Sequence, residues 1–177
     1  MEENMANRLL VATPGMQDAV FTESVIYVYQ QNEEGTIGFI VNKPLHIKAE
    51  SILPQLDIKI DKHKAKDLPV FLGGPVSPEQ GLVIYENDLI QAESKLLTSQ
   101  SDEMNIIPDE TNHLLIILGH SFWGPGELEK QIVCNAWLIA PFQRNIIFST
   151  EVNQKWKAAL TSIGVSLSSF SEEGGHG

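Results

Sequence analysis

The segment Gly119-His120-Ser121-Phe122-Trp123 is where this chain comes nearest to a catalytic motif. It follows an apolar run and precedes a helix signal. Hydrolases place a serine nucleophile in that setting, on a sharp turn from strand to helix. The turn has the form G-x-S-x-G, because the second glycine lets the strained backbone close. Trp123 stands in that glycine's place. His120 beside Ser121 does not complete a triad, since the base of a triad comes from elsewhere in the chain. The segment therefore reads as a strand-to-helix turn with a polar serine and a packed aromatic pair.

Other chemistries have weaker handles. The histidines are His46, His63, His113, His120 and His176. None forms an H-x-x-x-H pair or joins a paired-cysteine pattern, so the expectation is no metal and no cofactor. Gly73-Gly74-Pro75 could offer backbone N–H groups to an anion. It lacks the Lys-Ser/Thr ending of a phosphate loop, and a glycine turn is the favoured reading. Lys59, Lys62, His63, Lys64 and Lys66 form a basic cluster, diluted by Asp57, Asp61 and Asp67 into a solvated loop. Cys134 is the single cysteine. At about 100° per residue it shares a helix side with Glu127, Lys130 and Gln131, away from Leu128 and Ile132. It is a candidate reactive thiol: Lys130 favours the thiolate and the helix C-terminus opposes it.

The elements that must position these residues follow from pattern. RLLVAT (8–13), SVIYVYQ (24–30) and TIGFIVNKP (36–44) read as strands, the last two joined at the NEEG turn (32–35). Ala49 to Leu56 is a short helix candidate containing Pro54. PVFLGG (69–74) and GLVIYEN (81–87) are two more strands, separated by a loop rich in Gly and Pro. A short helix falls within 99–107. HLLIILG (113–119) has five consecutive apolar residues, as a strand buried on both faces would. Gly124 as N-cap and Pro125 in the first turn start a helix running to about Asn135. AWLIAP (136–141) and NIIFS (145–149) read as strands. Asn153 to Ile163 closes the fold as an amphipathic helix with Trp156, Leu160 and Ile163 on one side and Gly164 as its stop.

The chain has 177 residues and a formal net charge of -11, with 12 basic residues against 23 acidic. That length predicts one domain over residues 1–165, with a polar, frayed tail from 166 to 177. The charge argues against general nucleic-acid binding and against an anionic membrane surface. The acidic start lacks a signal peptide's basic region, and no apolar run approaches the roughly 20 residues that span a bilayer. A cytoplasmic address follows as the default.

Three blocks taken together resemble the AlgH/YqgE family of bacterial proteins: LLVATPGMQDAVFTESVIYVYQQNEEGTIGFIVNKPL (9–45), VFLGGPVSPEQGL (70–82) and LGHSFWGPGELEKQIVCNAWLIAP (118–141). The family's usual turn is G-Y-A-G-W. Ser121 therefore stands where a small, non-nucleophilic residue is common, and His120 and Phe122 are not family features. The resemblance implies an α+β fold, with a branched, largely antiparallel sheet curled into a pseudo-barrel and helices outside. A doubly wound α/β sheet is the alternative. The family has no established biochemical activity and carries a proposed regulatory association.

The expectation is a non-enzymatic regulatory or binding protein acting through a protein or small-molecule partner. Its candidate cleft or interaction surface comprises Asn42, Gly73, Gly74, His120, Trp123 and Glu127. An enzyme of unrecognised class, using a cleft near residues 119–127, is one alternative. A direct transcriptional regulator is the other, although no helix-turn-helix is found.

Overall fold

The structure is a computed structural model and describes residues 3–56, 63, 66–86, 94–98 and 114–168. Its nine strands are β1 (Arg8–Ala12), β2 (Val25–Asn32), β3 (Gly35–Ile40), β4 (Pro44–Leu45), β5 (Val70–Leu72), β6 (Val76–Glu86), β7 (Ser94–Thr98), β8 (Leu114–Trp123) and β9 (Trp137–Pro141). They form one sheet in the order β4-β5-β8-β3-β2-β1-β9, with β6 pairing to both β8 and β7. Every pairing is antiparallel except β5 with β8. The sheet branches on β8: β5 and β6 flank Ile116–Leu118, and β3 pairs with Ser121–Trp123. The result is an α+β fold with a branched, curled half-barrel sheet.

The helices are α1 (Ala49–Ile52), α2 (Glu127–Val133), α3 (Arg144–Phe148) and α4 (Lys155–Ser162). β1 and the first half of β2, Val25–Val28, are buried on both faces, and their alternate residues enter different clusters. Leu9, Val11, Val25 and Tyr27 pack with Phe39, Ile117, Ile146, Trp156 and Leu160 beneath α3 and α4. Leu10, Ala12, Ile26 and Val28 pack with Ile40, Trp123, Leu128 and Trp137 beneath α2. A smaller cluster, with Ile52, Val70 and Ile116, lies beneath α1. Burying each such aliphatic side chain contributes about 1.5–3 kcal/mol.

Four readings from sequence are corrected. NIIFS is helix, not strand. Its amides turn back on the Gln143 carbonyl, and one helical turn carries both Ile146 and Ile147 into the same cluster. A strand would have sent them to opposite faces. The strand at 113–119 does not stop at Gly119 but continues to Trp123, so residues 119–123 are not a strand-to-helix turn. Of the Gly- and Pro-rich loop expected before Gly81, the part from Val76 onward belongs to β6, whose register shifts between Val76 and Gly81. The helix expected at Gly124 begins at Glu127. Gly124-Pro125-Gly126-Glu127 forms a turn first, with the Glu127 N–H donating to the Gly124 carbonyl at 3.0 Å and Gly126 at φ +77°. Proline then glycine at the two central positions is the type II pattern.

Helix endings follow the expected chemistry. Gly164, at φ +78°, stops α4, and its N–H and that of Val165 return to the Thr161 and Leu160 carbonyls. Asn135, at φ +59°, performs the same service after α2. Leu167, assigned to the tail, packs against the cluster beneath α4. β7 was not anticipated. The helix expected in 99–107, His113, His176 and most of the basic cluster lie outside the described residues. Among the described residues no helix is long and apolar enough to cross a membrane.

Candidate functional site

Ser121 is fully buried, and its Oγ donates to the Gly73 carbonyl at 3.0 Å. The same carbonyl accepts the Ile40 N–H at 2.8 Å, and the Gly73 N–H donates to Leu118 O at 2.8 Å. The Gly73 amide, a candidate anion donor from sequence, is therefore committed to the sheet. Glycine is required here by close approach. A Cβ on Gly73 would run into the Gly119 carbonyl, and one on Gly74 into the His120 carbonyl. Gly119 adopts φ +76°, and a Cβ there would lie 2.7 Å from Gly74 O. Its left-handed backbone also rephases β8. Ile117 faces the cluster beneath α4, whereas Trp123 faces the one beneath α2. The geometry is that of a welded backbone crossing with a serine bolt, in which Ser121 is no exposed nucleophile.

Asn42 sits at a second junction. Its Oδ1 accepts the Val25 N–H at 2.9 Å, and its Nδ2 donates to Glu23 O at 2.8 Å. Glu23 is held at φ +53°, a conformation that non-glycine residues rarely adopt. Lys43 donates to Thr22 O beside it. Burial lowers the Lys43 pKa, and the Glu23 carboxylate opposes that shift.

Trp123 is buried, at 3% exposure, within an aromatic cluster. Phe21 stacks on it with centroids 6.2 Å apart, and Trp137 meets it edge-on at 6.0 Å. Gln131 Oε1 accepts both indole N–H groups, at 3.1 Å from Trp123 and 2.8 Å from Trp137. Glu127 reaches back to the Gly124 N–H at 2.8 Å, tightening the turn before α2. Cys134 is exposed, at the C-cap of α2.

His120 and Phe122 share the face of β8 opposite Ser121 and Trp123. Phe122 lies across from Ile37, and His120 across from Val76. Phe122 is 48% exposed and Val76 37%. His120 is half-buried, and burial lowers its pKa, which favours the neutral ring. The six candidates thus divide. Gly73, Gly74 and the His120 backbone meet at the crossing. Trp123 and Glu127 belong to the α2 side, and Asn42 braces the turn before β2. His120 and Ser121 point to opposite faces and cannot act as a base and nucleophile pair.

A cleft of about 400 Å³ beside the Pro125–Gly126 turn is lined by Glu3, Gln31, Glu33, Thr36 and Glu129, and contains none of the six. Among the described residues no group of three His, Cys, Asp or Glu side chains could hold a metal ion.

Two polar groups hold roles that the sequence reading did not assign. Gln131 is one. Lys155 is the other: it is 2% exposed, with Nζ donating to Ile147 O at 2.6 Å and Val41 O at 3.0 Å. The Phe71 ring lies 5.1 Å from Nζ. Burial lowers its pKa to about 8. The signal was present. Lys155 falls on the stripe marked by Trp156, Ala159, Leu160 and Ile163.

The model of the AlgH-like family matches residues 9–168. A UPF0301 protein of Methylococcus capsulatus is 36% identical over 183 residues, covering 99% of this chain and 97% of the relative. One from Coxiella burnetii is 37% identical, covering 97% and 96%. The solution structure of the AlgH protein from Pseudomonas aeruginosa superposes with a TM-score of 0.68 at 26% identity, over 97% of both chains. A crystal structure of a Corynebacterium diphtheriae protein has a TM-score of 0.71 at 19% identity over 90% of this chain and 87% of that one, a likeness of fold. With the family model spanning nearly all of the described sheet and its helices, this chain belongs to the AlgH-like family.

Proposed function

We propose that this protein is a cytoplasmic, non-enzymatic binding or regulatory protein. It acts through a protein partner that docks on the face of β3, β8 and β6 carrying Ile37, Phe122, His120 and Val76. The observation that carries this reading is the contrast between the two faces of β8. On one, Ser121 and Trp123 are committed to internal bonds. On the other, Phe122 and Val76 stand in solvent beside a histidine held toward its neutral form. The Glu33–Glu34 turn closes the hairpin next to this face, and the chain's net charge is -11. Charge complementarity selects a partner whose apolar side chains are bordered by basic ones.

A photo-crosslinking residue in place of Phe122, introduced into cells that express the protein natively, tests the reading. A discrete protein adduct is expected from position 122, absent from exposed Glu50 on α1 and weakened as salt is raised. Equal labelling from both positions would reject it. At acidic pH the adduct should fade as His120 gains a proton, because a charged ring opposes both desolvation and a basic partner.

A further inference from the structure

Lys155 stands at the first residue of α4 and is sealed from solvent by three other segments. The end of β3 supplies the Val41 carbonyl, α3 the Ile147 carbonyl and β5 the Phe71 ring. Two carbonyls and a ring satisfy an ammonium in part, and none carries a full negative charge. The charged side chains on the surrounding elements are Lys43, Arg144, Glu151 and Lys157. Glu151 and Lys157 are exposed, as is Arg144, and Lys43 is turned to Thr22. β1 and β2, which α4 also crosses, bring Arg8, paired with Glu3, and Tyr27, bonded to Asn7. Among the described residues Lys155 has no carboxylate partner.

The rest of the attachment of α4 is made by side chains. Trp156, Ala159 and Leu160 enter the cluster, and the Trp156 N–H donates to Ala12 O at 2.8 Å. No strand ladder ties the helix to the sheet, so it can separate without breaking β pairing.

We propose that α4 is a proton-linked strap: its uncompensated Lys155 ammonium weakens its docking, so the helix lifts from the sheet as a local unit and uncovers the apolar floor formed by Val41, Phe71 and Ile147. Lifting returns the ammonium to water, and docking favours the neutral amine. The lowered pKa of about 8 agrees with this direction. Between that value and the ordinary lysine range near 10.5, the lifted state binds more protons than the docked one. Opening is therefore greatest below about pH 8 and declines as pH rises through that window.

Thiol labelling of the full chain tests the strap. Cys134 is replaced by serine, and a reporter cysteine is placed at fully buried Ala159 in α4, or at fully buried Val28 in β2. Maleimide labelling rates are divided by those of an unstructured thiol peptide at each pH. At about pH 7.5 the 159 reporter should label at least about tenfold faster than the 28 reporter, because it needs only local opening. Its corrected rate should fall roughly 20-fold by about pH 9.5, the factor that linkage gives for this shift. Lys155→Met and Lys155→Gln should each remove that decline. Equal rates at 159 and 28 would show that α4 opens only with the whole fold and would overturn the proposal. A decline that survives both substitutions would overturn the role of Lys155. If neither variant folds, the profile with Lys155 present still decides: a flat one rejects the strap.

Discussion

α2 and α4 cover opposite faces of the same strands, and each turns one polar side chain toward them, half-buried on α2 and fully buried on α4. On the α2 face that group is the half-buried neutral amide of Gln131, which accepts from two indoles. On the α4 face it is the ammonium of Lys155, which donates to two carbonyls. The geometry is alike, two hydrogen bonds to one central group, but the energetics differ. A neutral amide with its oxygen satisfied adds to the hydrophobic term. A buried charge without a counter-charge carries a desolvation penalty that two carbonyls offset only in part. One face is thus built to stay shut, and the other holds a stability that varies with pH.

The contrast can be broken at its aromatic side first. Trp137→Ala removes a side chain that is 1% exposed and opens a cavity between Phe21 and Trp123. A loss of about 3–5 kcal/mol is expected in urea denaturation. Gln131→Leu keeps the volume but leaves two indole N–H groups without their acceptor, for about 2 kcal/mol, with no new dependence on pH.

Lys155→Met acts in two directions, relieving a buried charge while orphaning two carbonyls. The net change near neutral pH should stay within about 1 kcal/mol. Its signature is the pH profile. With Lys155 present, stability rises from about pH 8 toward 10.5, where the unfolded chain holds the extra proton, and the methionine variant should be flat there. Cys134→Ser, at an exposed helix end, should change stability by less than about 0.5 kcal/mol.

The sequence was most legible where the pattern had one reading. β1, β2 and β9 are short apolar runs bounded by turn residues, and all three lie where those runs placed them. The apolar run at 146–148 was too short to tell strand from helix, and tertiary packing decided. Gly119 misled for a different reason. A glycine after a strand signals a turn, but here its positive φ lets the strand rephase and continue against another backbone. That use depends on Gly73 and Gly74, over 40 residues away, and no local pattern contains it.

The candidate residues were legible as special but not for their tasks. Gly73, Gly74, Asn42 and Ser121 hold chain crossings together. Lys155 was overlooked because a lysine at a helix start ordinarily faces water, and only its place on the Trp156 stripe marked it.

The distribution of tryptophan has an optical consequence. The chain's three indoles are all buried, two sharing the Gln131 oxygen and the third carried by α4 on the other side of the sheet. Native emission should therefore be blue-shifted, and each side of the sheet has its own lamp. A red shift confined to Trp156, isolated by replacing the other two with phenylalanine, would register departure of the closing helix while the opposite face stays dark to solvent.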